Sequence, residues 1–82
     1  MSMITGLQIR AARAALGWSA TELAKRSNIA MKTGARLEQT DGVPASHSST
    51  LLEIQKTLES AGIEFVGTPD DGPGIRIRTS VA

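Results

Sequence analysis

The chain lacks cysteine altogether and contains only one histidine, one tryptophan and one phenylalanine among its 82 residues. The absence of cysteine excludes a disulfide framework and a thiolate zinc site. The N-terminus has no apolar signal core, and no run approaches the roughly 20 apolar residues that span a bilayer. We therefore expect a soluble, cytoplasmic protein without a membrane partner.

The sequence offers no arrangement of side chains that supports catalysis. The single histidine, His47, is flanked by serines, but neither a strand-to-helix nucleophile elbow nor an orienting acid accompanies it. Asp70 and Asp71 lie in a glycine-rich segment without the ligand spacing of a calcium loop, so they are expected to form a turn. We expect neither an enzyme nor a bound metal or cofactor.

Charge is unevenly distributed along the chain, although the formal net charge is only +1. Residues 1–40 contain six Lys or Arg and two Glu, a net of +4, whereas residues 41–82 contain three basic and six acidic side chains, a net of −3. A basic half is typical of a surface that attracts phosphates. The alternative is that these side chains cover solvent-exposed faces, and the low total charge argues against a dedicated DNA-binding protein.

The central feature of the chain is a pair of short helices joined by a tight turn. The helices are predicted at Ser19–Arg26 and Ala30–Glu38, and the first begins with the capping box Ser19-Ala-Thr-Glu22. Asn28 lies in the turn, where the backbone is expected to need a positive φ, which Asn tolerates well. The apolar residues predicted to join the two helices are Leu23, Ala24, Ile29 and Leu37.

One helix is predicted before this pair, at Thr5–Leu16, and Met1–Ile4 are expected to be either loose or a short lead-in to it. Thr5-Gly-Leu-Gln8 is a capping box, and Gly17 provides a C-terminal stop. Trp18 is expected to pack between the first two helices rather than to stack on a base.

A loop and another helix are predicted after the pair. The loop covers Thr40–Ser49, and the helix begins with a third capping box, Thr50-Leu-Leu-Glu53. It ends near Ala61, with Gly62 as the stop. The residues expected to face inward are Leu51, Ile54, Leu58 and Ala61.

Two strands of a β-hairpin are predicted at Ile63–Val66 and Ile75–Arg78, joined by the loop GTPDDGPG, and residues 79–82 are expected to fray. Glu64 is expected across from Arg76 or Arg78, and the free edge of the hairpin is a candidate for pairing with a second subunit. The residues expected to face the helices are Ile63, Phe65, Ile75 and Ile77.

Several stretches together resemble one family of DNA-binding proteins. They are GLQIRAARAALGWS from Gly6, ELAKRSNI from Glu22, ARLE from Ala35, GVP from Gly42 and STLLEIQKTLESAGIEF from Ser49. In these stretches the chain is similar to the small lambda repressor/Cro-like (XRE-type) helix-turn-helix regulators, in which the second helix of the pair enters the major groove. The resemblance implies a mainly α domain of four to five helices in residues 1–62, with the short C-terminal β-hairpin, residues 63–82, packed on the same domain.

The resemblance further implies a transcriptional regulator that binds double-stranded operator DNA as a homodimer. Arg36 is the expected main base contact, because arginine suits bidentate contact with guanine, and Lys32 is expected to contact a phosphate or a guanine. Met31 and Ala35 are expected near thymine methyls. The alternative is a solvated face on which Arg36 pairs with a carboxylate. The ten residues expected to contact DNA are Arg10, Arg13, Ser19, Thr21, Lys25, Met31, Lys32, Thr33, Ala35 and Arg36. Contacts to the phosphate backbone are expected from Arg10, Arg13, Ser19, Thr21, Lys25 and Lys32.

Three positions depart from the family pattern. Ala20 replaces a glutamine that contacts phosphate, Ala30 replaces a serine cap, and Gly34 replaces an Ile or Val that holds the second helix of the pair in place. Either a neighbour such as Met31 fills the space at Gly34, or this helix is no longer held in a DNA-binding geometry. These departures keep open a different function, a protein-binding antiactivator that sequesters a transcription activator, or an antitoxin that binds both DNA and a toxin.

Overall fold

The computed structural model describes residues 4–44 and 48–78, and within them four helices precede a two-stranded antiparallel hairpin. The predicted mainly α chain with a C-terminal hairpin is thereby confirmed. The predictions made for residues 1–3, for His47 and its neighbours 45 and 46, and for residues 79–82 lie outside the described residues. The elements are α1 (Gly6–Leu16), α2 (Ala20–Arg26), α3 (Met31–Glu38), α4 (Ser48–Ser60), β1 (Ile63–Thr68) and β2 (Asp71–Ile77).

Helix α1 has the two ends that its sequence predicts. The Thr5 hydroxyl accepts a hydrogen bond from the Gln8 amide at 3.1 Å, and Gln8 Oε1 accepts one from the Thr5 amide at 2.8 Å. This reciprocal box satisfies amides that the first turn would otherwise leave without partners. The helix ends at Gly17, whose φ of 71° is favourable only for glycine and a few polar residues.

Helices α2 and α3 are joined by the predicted turn, in which Asn28 has a φ of 57°. The Ser19 hydroxyl caps α2 by accepting from the Glu22 amide at 3.1 Å. The second half of the predicted capping box does not form, because the Glu22 carboxylate pairs with Arg26 at 2.6 Å instead. The i,i+4 spacing of Glu22 and Arg26 makes this pairing available on the exposed side of the helix.

A single apolar core joins the helices to β1. The predicted inward positions of α2, α3 and α4 are confirmed except for Ala61, which follows α4 and is only half-buried. Ile29, Trp18, Phe65 and Ile75 pack against the core from its margin. Complete burial of a Leu or Ile side chain stabilises the fold by roughly 1.5–3 kcal/mol. The buried core residues are Ile4, Ile9, Ala12, Leu23, Leu37, Leu51, Ile54, Leu58 and Ile63.

The segment before α1 and the start of α4 differ from the sequence prediction. Ile4 is only 2 % exposed and belongs to the core, so of the two expectations for the lead-in the loose one was wrong at this residue. Helix α4 begins at Ser48, which places Thr50 inside its first turn and excludes the predicted capping box with Glu53. Ser48, Ser49 and Thr50 are all residue types that favour helix starts, so the local pattern did not distinguish among them.

The hairpin is longer than predicted. Residues 67–74 were expected to form a loop, but both strands continue through most of this segment, and only Pro69 and Asp70 connect them. Gly67 and Gly72 have φ values of 77° and 62°, which let the backbone turn and bulge while pairing continues.

The inner face of the hairpin is only partly covered by the helices. Ile63 pairs with Ile77 and Phe65 with Ile75 across the strands. Three of these four face the core as predicted, whereas Ile77 is 56 % exposed and its predicted burial was wrong. Ile77 is the last residue of β2. A residue at the end of a strand can extend beyond the helices even when the other residues on the same face of the strand pack against them.

The side chain of Gln8 connects α1 to the hairpin through hydrogen bonds. Its side-chain amide donates to the carbonyl oxygens of Val66 at 3.2 Å and Gly74 at 2.8 Å, while its Oε1 serves the α1 cap. Both ends of this buried amide are therefore hydrogen-bonded, as a buried polar group requires. One side chain thus connects the first turn of α1 to both strands of the hairpin.

Candidate nucleic-acid interface

Helix α3 has an inner face in the core and an outer face in solvent. Leu37 and Gly34 are buried on the inner face, three residues apart, as expected for one side of a helix. The outer face contains Met31, which is 56 % exposed, together with Lys32, Ala35 and Arg36, and Thr33 is half-buried at the edge. These five residues are half of the ten that the sequence predicts to contact DNA.

The outer face of α3 presents two parallel rows of side chains. Lys32 and Arg36 are one turn apart and form a basic row, and Met31 and Ala35 form an apolar row beside it. A surface depression of about 540 Å³ borders these rows. It is lined by Ala30, Lys32, Thr33, Ala35, Arg36 and Gln39.

The C-terminal end of α3 is held by two arginines of α1. Arg13 pairs with Glu38 at 2.9 Å and also donates to the Trp18 carbonyl at 3.1 Å. Arg10 donates to the Glu38 carbonyl and pairs with Asp41 at 2.5 Å. Both guanidinium groups, which the sequence predicts to contact phosphate, are therefore engaged within the chain.

The buried carboxylate of this cluster was not anticipated from the sequence. Glu38 is the last residue of α3 and only 7 % exposed, and its partner Arg13 keeps about a quarter of its side-chain surface in solvent. The two residues are 25 positions apart, so neither spacing nor periodicity indicates their pairing. Only the packing of α1 against α3 brings them together.

The N-terminal end of α3 has much weaker support. Ala30 occupies the N-cap position and provides no side-chain hydrogen bond, as predicted. The Thr21 hydroxyl, from the first turn of α2, donates to the Met31 sulfur at 3.0 Å. This bond is a contact between the first turns of the two helices, and it involves a residue predicted to contact phosphate.

Gly34 lies where α3 meets α2 and the turn. A Cβ atom added at this position would lie 3.5 Å from Ile29 Cδ1 and 3.6 Å from Ala24 Cβ, both ordinary contact distances. Ile29, rather than Met31, therefore occupies the space beside Gly34, and the suggestion that Met31 fills it was wrong. Gly34 therefore faces Ala24 and Ile29 with room for one methyl group.

The remaining predicted contact residues lie on α2 or at its N-cap. Ser19 is exposed and caps the helix, and Lys25 is exposed on its outer side. Among the described residues, neither Lys25 nor Lys32 forms an ion pair. Arg26, which the sequence prediction omitted, lies 4.4 Å from the centroid of the Trp18 ring and is paired with Glu22.

The described part of the chain contains no group of three His, Cys, Asp or Glu side chains that could hold a metal ion. Within the same residues, no helix combines the length and the apolar character needed to cross a bilayer. A comparison of the chain with protein-family models finds no match, and a comparison with curated proteins finds none either.

Proposed function

We propose that the chain is a small transcriptional regulator of the lambda repressor/Cro-like helix-turn-helix type. In this proposal α2, the turn through Asn28 and α3 form the helix-turn-helix unit, and α3 enters the major groove. The observation that supports the proposal is the division of α3 into a buried face with Gly34 and Leu37 and an exposed face with Lys32 and Arg36. A helix held in this way presents basic side chains outward, as contact with base edges and phosphates requires.

The basic residues have different roles in this proposal. Arg36 contacts a guanine, because a guanidinium fits the two acceptors on its major-groove edge, while Lys32 and Lys25 contact phosphates. Arg10 and Arg13 act indirectly, by holding the C-terminal end of α3 through Glu38 and Asp41. The protein binds as a homodimer, and its two copies of α3 occupy successive major grooves about 34 Å apart on a near-palindromic site.

The test begins with the selection of duplex DNA from a random-sequence pool. Binding of the selected duplex is then titrated, with fluorescence anisotropy as the measurement. The affinity should fall steeply between about 50 and 200 mM salt if several phosphates are neutralised. Arg36→Ala should weaken binding and relax specificity at one base pair, at a loss of about 1–3 kcal/mol, whereas Lys32→Ala should weaken binding to all sequences.

Lys56→Ala is the matched control, because it removes one exposed positive charge from α4, which lies outside the helix pair. It should leave the affinity nearly unchanged. Failure of the wild-type protein to bind any duplex at low salt would refute the proposal.

A second candidate function is favoured by the N-terminal end of α3. Ala30 supplies no cap, and Met31 is largely exposed beside the short side chain of Ala35. A flexible thioether suits a protein partner, so the same face can bind a transcription activator and keep it from DNA. An antitoxin, which binds both a toxin and DNA, would combine the two roles.

Capture experiments separate the two candidates. A transcription activator that co-purifies with the wild-type protein after nuclease treatment, but not with Met31→Asp, would favour the antiactivator. A purified protein that binds DNA and captures no partner would favour the regulator.

A further inference from the structure

The bond between Thr21 and Met31 determines which chemical groups each residue offers to a ligand. A threonine hydroxyl has one proton, and here that proton is donated to the Met31 sulfur over a 3.0 Å distance. A phosphate oxygen accepts hydrogen bonds and donates none. Thr21 therefore cannot donate a hydrogen bond to a phosphate while its proton is donated to Met31. Thr21 is thereby assigned to holding Met31.

Met31 remains available on the outer face although its sulfur is held. Its side chain is 56 % exposed, and Ala35, one turn further along, is exposed as well. An unrestrained methionine side chain loses rotational freedom about several bonds when it binds a ligand. A hydrogen bond that already holds the sulfur reduces this entropic cost. The apolar row is therefore a preorganised surface beside the basic row of Lys32 and Arg36.

The major groove of DNA contains one apolar group, the 5-methyl of thymine. We infer that Met31 is a specificity-determining residue that recognises a thymine methyl next to the bases contacted by the basic row, and that Thr21 positions it. This inference rests on the proposed DNA binding. It adds the chemical feature that the bound sequence must contain, a thymine whose methyl contributes to affinity.

The direct test replaces thymine by uracil, which lacks only the methyl. A duplex selected by the wild-type protein is remade with deoxyuridine at one thymidine position at a time, and affinities are measured by anisotropy at one fixed salt concentration. At the recognised position the wild-type protein should bind about fourfold more weakly, the change expected when one methyl group is no longer buried.

Variants at position 31 assign the effect to this side chain. Met31→Ala should bind the thymine and uracil duplexes equally well, whereas Met31→Leu, which keeps an apolar side chain of similar volume but lacks the sulfur that Thr21 holds, should retain a reduced difference. Because Met31 is exposed, both variants should keep the circular dichroism spectrum of the wild type.

Thr21→Val tests the positioning role, because valine keeps the shape of threonine and removes the hydroxyl. We expect a smaller thymine–uracil difference and an unchanged dependence of affinity on salt. A phosphate contact at Thr21 would instead leave the thymine–uracil difference intact.

Three outcomes would overturn the inference. Equal binding of all thymine and uracil duplexes, or a thymine–uracil difference that persists in Met31→Ala, would refute the role of Met31 while the proposed function stands. An unchanged difference in Thr21→Val would refute the positioning role. The absence of binding to any duplex would refute the proposed function together with the inference.

Discussion

At the scale of single residues, Gly34 is the position of α3 that faces Ala24 of α2 and Ile29 of the turn. Glycine within a helix is less favourable than alanine by about 1 kcal/mol. The neighbours Ile29 and Ala24 leave room for one methyl group at ordinary contact distance, but the additional carbons of a larger side chain would compete with Ile29. The position thus tolerates a small gain in volume and no more.

We predict that Gly34→Ala raises the free energy of unfolding by about 1 kcal/mol, which corresponds to roughly 4–8 °C in Tm for a domain of this size. Gly34→Val should stabilise less or destabilise, because its γ carbons force Ile29 to move. Thermal denaturation followed by circular dichroism measures both.

Gly42→Ala serves as the control for Gly34→Ala, because a Cβ atom at position 42 would contact no other residue. The change in Tm of Gly42→Ala therefore measures only the lower conformational entropy of the unfolded chain. A Tm for Gly34→Ala below that of the wild type would contradict the packing at this position.

At the scale of elements, the docking of the hairpin depends on Gln8. We predict that Gln8→Glu destabilises the fold by about 2 kcal/mol, because a carboxylate cannot donate to the Val66 and Gly74 carbonyls and would be buried against them. The new side chain still accepts from Thr5, so α1 should keep its cap. Chemical denaturation gives the loss in stability, and amide NMR shifts in β1 and β2 report the detachment of the hairpin.

Gln55→Glu is the matched control for Gln8→Glu, since it makes the same change on the exposed side of α4. It places a like charge one turn from Glu59 and should cost only about 0.2–0.5 kcal/mol. Equal losses in the two variants would show that the hydrogen bonds from Gln8 to the Val66 and Gly74 carbonyls contribute nothing to stability.

The pairing of the strands should also depend on pH through Glu64. The hydrogen bond from Arg78, followed by the charges of Arg78 and Arg76, lowers the pKa of this carboxyl below its ordinary value. A lowered pKa stabilises the folded state above the unfolded pKa, about 4.3 for glutamate, and this contribution disappears as pH falls through the folded value.

We therefore predict that the amide shifts of β1 and β2 change as the solution is acidified below about pH 4. Glu64→Gln should remove that component of the change. An identical acid titration in the variant would exclude Glu64 as its source.

At the scale of the whole molecule, ion pairs within the chain neutralise part of the positive charge of residues 1–40. Arg10 and Arg13 are turned toward Glu38 and Asp41, so the basic character of the outer face depends on fewer side chains than the sequence predicts. The same pairs join α1 to α3 and to the segment that follows it. Stability and the proposed binding are therefore coupled through Glu38.

We predict that Glu38→Gln lowers the free energy of unfolding by about 2 kcal/mol, because it leaves the partly buried Arg13 without its counter-charge. The value lies below the range for fully buried pairs since Arg13 retains contact with solvent. Glu22→Gln, which breaks an exposed pair, should cost less than about 1 kcal/mol. Urea denaturation of both variants provides the comparison, and a Glu38→Gln effect no larger than that of Glu22→Gln would contradict this assignment.

The sequence by itself determined the features that depend on neighbouring residues. The Thr5–Gln8 box, the positive φ of Asn28 and the inward positions of Leu23 and Leu37 follow from local hydrogen bonding and helical periodicity, and the structure confirms them. The uncapped start of α3 at Ala30 follows from the same local chemistry.

Only the tertiary structure decided the features that join distant segments. Gln8 meets Gly74 across 66 positions and Arg13 meets Glu38 across 25, and the burial of Ile4 likewise requires partners far along the chain. No periodic pattern encodes such contacts, because a long polar side chain is equally compatible with solvent, DNA or a buried partner until the packing of the helices places one of them within reach.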